Sequence, residues 1–181
     1  MRPRRNGVRN SLICGLLAIV TFIGIGLAAS AQEELRPAEV DFGGFLDLSD
    51  EVFQLREDRL LSLEAFNDMA DAPNTIILDA RSRYAFALGH IEDAVNLPFS
   101  DFTDEKLAEI IPNKDTRILI YCNNNFSDDA EPIPLKRVSL ALNIPTFINL
   151  YGYGYENIYE LGVLTETTND DVNWVTGEFP L

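Results

Sequence analysis

Hydrophobic and polar positions divide the chain into stretches of different character. Between Asn10 and Gln32 the residues are uncharged and mostly apolar, through Leu12, Ile13, Leu16, Leu17, Ile19, Val20, Phe22, Ile23 and Ile25. Residues 32–56 are acidic but keep Phe42, Phe45, Leu46, Leu48, Val52, Phe53 and Leu55, too much apolar content for a free linker; they predict a partly helical lead-in segment packed on the domain. From Arg59 onward short apolar runs alternate with amphipathic ones. Thr75–Leu78 is a continuous apolar run ending in Asp79, and Arg117–Tyr121 is a second that delivers Cys122 at its end. Runs without polar alternation suit strands buried on both faces. Leu60, Leu61 and Leu63 predict a further short strand, as do Ala94–Pro98 and Thr146–Leu150.

Between these strands the spacing predicts helices over Leu63–Ala70, capped by Ser62 with Glu64 and Asp68 outward, and over Asp104–Ile111, Pro134–Leu142 and Tyr155–Leu161. Strands alternating with helices predict an α/β fold of three layers, a mostly parallel central sheet with helices on both faces. The tail, residues 165–181, is polar and acidic and is expected along the surface, with Trp174 and Phe179 as docking groups.

The opening stretch changes the picture of where the domain resides. Arg2, Arg4, Arg5 and Arg9 precede the apolar run, which closes on Ala29-Ser30-Ala31. A basic start, an apolar middle and a small-residue exit form the secretory signal pattern, with cleavage expected before Gln32. The competing reading is an uncleaved anchor over residues 12–29, since the run is nearly long enough to span a bilayer. Under either reading the domain is exported, to the periplasm or the extracellular space, and with cleavage no stable membrane insertion is expected.

Charge narrows the function classes. Fourteen basic residues against 29 acidic ones give a formal charge of −15, and residues 1–31 hold four of the basic residues and none of the acidic ones. Such a surface repels phosphate backbones, so nucleic acid is excluded as a partner. Two cysteines and one histidine cannot make a structural zinc site of the usual kind, and no metal or cofactor is expected. Beyond residue 31 one cysteine remains, Cys122, an unpaired thiol in a compartment where cysteines commonly pair.

Ligands of open α/β sheets bind beyond the carboxyl ends of the strands, where both Asp79 and Cys122 fall. Asn123, Asn124, Asn125, Phe126 and Ser127 follow the cysteine in a stretch with no helical preference. Asparagine tolerates left-handed backbone, so this loop can curl and turn its N–H groups toward one point, where they stabilise a thiolate or an oxyanion. A plain strand-to-helix turn around a buried, inert cysteine is the alternative. Arg81 is a candidate for touching an anion, or the partner of Asp79 at the strand end. His90 reads as a turn-holding residue rather than a base. Tyr151, Tyr153, Tyr155 and Tyr159 read equally as core or as a pocket wall.

Taken in order, Leu78-Asp79-Ala80-Arg81, Tyr84, Gly89-His90-Ile91, Ala94-Val95-Asn96-Leu97-Pro98 and Ile118-Leu119-Ile120-Tyr121-Cys122 resemble the rhodanese-like sulfurtransferase domain over residues 57–164. The resemblance implies that Cys122 is the catalytic nucleophile. It would take the outer sulfur of a donor such as thiosulfate as a persulfide and hand it to a thiol acceptor. It also implies substrate contacts from Asn123, Asn124, Asn125, Phe126, Ser127 and Arg81. The loop departs from the family pattern Cys-x-x-Gly-x-Arg-Ser: Asn125 stands for the glycine and Ser127 for the arginine, with Asp128 and Asp129 next. Those carboxylates are expected to raise the pKa of the thiol and disfavour a dianionic donor. Asp128 also stands where a cysteine phosphatase needs arginine. The rival from another class is a catalytically silent rhodanese-like binding or regulatory module that contacts a protein partner.

Overall fold

The computed structural model describes residues 38–128 and 135–176. The signal or anchor expected over residues 1–31 lies outside them, as do Asp129, Pro132, Pro134 and Phe179. The chain divides at Glu39, and the fold described here belongs to the unit from Val40 onward.

Helix α1 (Phe42–Glu57) starts at Asp41, whose carboxylate accepts the Gly44 N–H at 2.8 Å. It turns Leu48, Val52 and Leu55 inward at helical spacing, against α5 (Asn143–Gly152) and the core. Strand β1 (Leu60–Leu61) and helix α2 (Leu63–Ala70) follow, the helix capped by the Ser62 hydroxyl as the sequence predicts. Then come β2 (Thr75–Asp79), α3 (Arg83–Leu88), β3 (His90–Ile91), β4 (Val95–Asn96) and α4 (Asp104–Ile110). Strand β5 (Arg117–Tyr121) precedes α5, and β6 (Ile158–Leu161) and β7 (Trp174–Val175) complete the order.

The central sheet has five strands in the order β1-β6-β5-β2-β4, all paired in parallel. Side chains of β5 alternate between two cores, as the two-residue strand period requires. Ile118 and Ile120 join Leu78, Ile158, Phe147 and Val52 on the face covered by α1, α4 and α5. Leu119 and Tyr121 join Ile77, Leu161, Phe66 and Phe126 on the face covered by α2 and the tail. The expected three-layer α/β architecture is present.

Three sequence expectations are overturned. Thr146–Leu150 is not a strand but the middle of α5, because Ile144, Phe147, Ile148 and Tyr151 recur at helical spacing and Pro145 falls in the first turn, where its missing N–H costs nothing. Tyr155–Leu161 is not a closing helix: it ends in β6, which lies between β1 and β5. No helix forms over the described part of Pro134–Leu142, which holds only a 3₁₀ turn at Val138–Leu140. There Asn124 engages both the carbonyl and the N–H of Lys136, removing both from any helical ladder, and Leu135, Val138 and Leu140 stay exposed.

In the tail, β7 pairs antiparallel with β3, and the Trp174 indole packs edge-on against Phe126 at 4.9 Å. It fills the space beside Gly89, where any Cβ would overlap the indole ring.

Beneath these elements lies a buried charge cluster. Asp79 is fully buried and accepts hydrogen bonds from the Arg81 guanidinium, with the shortest at 2.6 Å, and from the Tyr121 hydroxyl at 2.6 Å. Removing one partner of such a pair strands the other charge inside the protein. Asp79→Ala is therefore expected to cost about 3–5 kcal/mol in urea unfolding, and a cost under about 1 kcal/mol would contradict this account.

Candidate functional site

Residue parity puts the Cys122 side chain on the α5 side of the sheet. Ile118 and Ile120 face that side, and Cys122 continues the extended backbone with φ −148° and ψ −179°. Asn123–Asn125 then form a 3₁₀ turn, closed by the Asn125 N–H donating to the Cys122 carbonyl at 3.0 Å. Cys122 is 1% exposed, yet it sits on the wall of a cleft of about 530 Å³ together with Arg81, Ser82, Arg83, Asp101, Asn123, Asn124 and Lys136.

Backbone N–H groups of Asn124, Asn143 and Leu142 donate toward the sulfur. Two of them come from the amino end of α5, where the helix dipole also favours negative charge. These donors pull the thiol pKa down, but burial acts more strongly in the opposite direction and the Glu160 carboxylate adds to it, so the net effect is upward.

The structure brings together only part of the expected site. Cys122, Asn123, Asn124 and Arg81 line the cleft. Arg81 is 3% exposed and largely spent on the fold: its Nε and Nη2 bond to Asp79, Nη2 also reaches the Gly89 carbonyl at 2.7 Å, and only Nη1 extends to the site, donating to Asn123 Oδ1 at 2.9 Å. Asn125, Phe126 and Ser127 do not line it. The Asn125 side chain is a buried clip that accepts the Cys122 N–H at 2.9 Å and donates to the Leu161 and Val163 carbonyls. Phe126 is fully buried in the core against Tyr121 and Trp174. Ser127 bonds to the Thr165 carbonyl.

The electrostatic role expected of Asp128 fails for the same reason. Its carboxylate turns toward the tail. Burial is the largest single effect and pushes its carboxyl up, but the Thr167 N–H, the Thr167 hydroxyl and the Thr168 N–H together outweigh it and hold the carboxyl below the usual range. Among the described residues, the carboxylate whose charge reaches Cys122 is Glu160 on β6.

Other expectations resolve locally. Lys136 also lines the cleft. His90 holds a turn through Nδ1 and the Phe86 carbonyl at 2.8 Å, stacked on the Phe86 ring. The four tyrosines do not wall the cleft: Tyr151 bonds to Glu51, Tyr153 to the Phe102 carbonyl, and Tyr155 and Tyr159 lie under Lys114 and Arg59.

Sequence reasoning missed Glu160, Asn143 and Arg56. A single acid inside the run Ile158–Leu161 was the available signal, since a charge buried in a strand needs a partner.

The family model for the rhodanese-like domain matches residues 62–161. A tRNA uridine(34) hydroxylase of Photorhabdus laumondii is 34% identical over 79 residues, which is 41% of this chain and 22% of that protein. The namesake of Sodalis glossinidius is 33% identical over 66 residues, 34% of this chain and 18% of that protein. The chain thus spans about a fifth of the length of these curated relatives. Among solved structures, thiosulfate sulfurtransferase from Pseudomonas aeruginosa superposes with a TM-score of 0.49 at 18% identity, covering 74% of this chain and 23% of that one.

The raised thiol pKa has a measurable sign. Alkylation of Cys122 by iodoacetamide should climb with pH through a midpoint above the ordinary cysteine value of about 8.5, leaving little thiolate at neutral pH. A midpoint below that value would show that the amide donors outweigh burial.

Proposed function

Because the chain belongs to the rhodanese-like domain family, matched over residues 62–161, we propose that it is a sulfurtransferase or persulfide carrier with Cys122 as nucleophile. The observation that carries this reading is the meeting of one thiol, a cleft and three convergent N–H groups at the carboxyl end of β5.

In the proposed cycle the Cys122 thiol loses its proton to solvent, and the thiolate attacks the outer sulfur of the donor. A sulfur–sulfur bond forms at Sγ while the donor's bond to that sulfur breaks, its electron pair leaving with sulfite or a thiolate. An acceptor thiolate then attacks the outer sulfur of the persulfide, and Cys122 returns as thiolate. The N–H groups of Asn124, Leu142 and Asn143 stabilise the anionic sulfur at both ends of the cycle. Lys136 offers positive charge to the donor, whereas Arg83 is paired with Asp101 at 3.2 Å, so the cleft favours a monoanionic persulfide over dianionic thiosulfate. The hydroxylases' nucleic-acid substrate does not transfer to this chain, whose charge of −15 repels phosphate.

One observation favours the silent binding module instead: Cys122 is only 1% exposed. Mass spectrometry separates the two readings. After incubation of the full chain with thiosulfate, mercaptopyruvate or a polysulfide, one added sulfur on Cys122, absent in Cys122→Ser, is the expected result. No added sulfur from any donor would leave the module.

The reading includes export directed by residues 1–31. Amino-terminal sequencing of protein from its native host should find Gln32 or a near neighbour first, whereas an intact start in the membrane fraction would establish the anchor.

A further inference from the structure

Glu160 is 4% exposed, and its parity with Ile158 places it on the same side of the sheet as Cys122. Arg56 of α1 reaches it with two hydrogen bonds, Nε to Oε2 at 2.7 Å and Nη2 to Oε1 at 2.6 Å. This is the paired geometry in which guanidinium and carboxylate bind most strongly. The same Oε1 accepts from Asn143 Nδ2 at 3.0 Å. That nitrogen also donates to Asn125 Oδ1 at 3.1 Å, and Asn125 Oδ1 accepts the Cys122 N–H at 2.9 Å. An unbroken chain of hydrogen bonds therefore runs from a side chain on α1 to the backbone of the cysteine. Asn143 opens α5, and its own N–H is one of the donors to the sulfur.

We propose that Arg56 and Glu160 are positioning residues for Cys122: Arg56 neutralises the carboxylate that ties the amino end of α5 over the thiol, so α1 governs the reactivity of the site. This rests on the reading of Cys122 as the sulfur-carrying nucleophile. A carboxylate at this place is needed to accept from Asn143, but its charge opposes an anionic sulfur. Arg56 removes the conflict, leaving the acceptor and cancelling most of the charge. Its remaining neighbour, Glu57, is 3.8 Å away and half exposed, so it competes weakly. Among the described residues, the other charged groups facing Cys122 lie across the cleft: Arg81, Arg83, Asp101 and Lys136.

The test is the pH profile of Cys122 alkylation in the full chain, which needs no sulfur donor. Arg56→Gln leaves Glu160 without its cation and should slow alkylation at neutral pH about five-fold or more, with the midpoint moving up. Glu160→Gln keeps an acceptor for Asn143 and loses the charge, so its midpoint should move down. The double variant Arg56→Gln, Glu160→Gln should return toward the parent profile, which two independent structural lesions would not do. Arg56→Lys, the milder change, should fall between parent and Arg56→Gln, and it serves as the test if Arg56→Gln does not fold by circular dichroism. Midpoints that stay at the parent value in Arg56→Lys and Glu160→Gln overturn the proposal. Shifted midpoints in a protein that accepts no sulfur would sustain the device and overturn only the sulfurtransferase reading.

Discussion

Two carboxylates buried in one sheet set the conditions for everything around them. Asp79 ends β2 and Glu160 lies in β6, the two strands that flank β5. A charge out of water survives only when it is paired and fully hydrogen-bonded, and each of these recruits an arginine from outside the sheet. Arg81 satisfies the first and in doing so holds the Gly89 carbonyl and Asn123. Arg56 satisfies the second, and with it α1 and the start of α5 are held. The cysteine lies between two ion pairs, one on each neighbouring strand. The polar groups that locate it are the same groups that the fold needs for the burial of charge.

The thiol itself is poised between opposing effects of similar kind. Its three amide donors are fixed in the backbone and cost no reorganisation when charge develops. Burial withholds water, which strengthens those donors and raises the cost of the anion at once. Burial prevails in the resting protein, so the site holds mostly neutral thiol, while the donors stand ready at the place where a negative sulfur would sit.

How much of this was readable in advance follows from what each residue type reveals. The strand endings at Asp79 and Cys122 were legible because uninterrupted apolar runs have few interpretations in an α/β chain. The cap at Ser62 was legible because capping is local chemistry. Thr146–Leu150 misled because its β-branched residues carry strand propensity, while the helical spacing of Ile144, Phe147, Ile148 and Tyr151 needed a wider window. β6 was hidden by its glutamate: in an isolated sequence an acid reads as a solvent-facing position, and only the distant Arg56 and Asn143 make it an interior one. The same non-locality defeated the assignment of charge near the thiol. Asp128 is close in sequence and turned away, whereas Glu160 is remote and adjacent.

That remoteness makes the enclosure of the thiol depend on long-range closure of the chain. Arg56 and Glu160 are 104 residues apart in the chain, and β1 finds its partner only in β6. Pairing of β2 with β5 alone leaves the cysteine at the end of β5 with neither α5 above it nor β6 beside it. Parallel pairing across long separations is slow because loop closure precedes the contacts that reward it. The thiol is therefore enclosed only once residues 143–161 have docked, and its shelter arrives with the last strand of the central sheet.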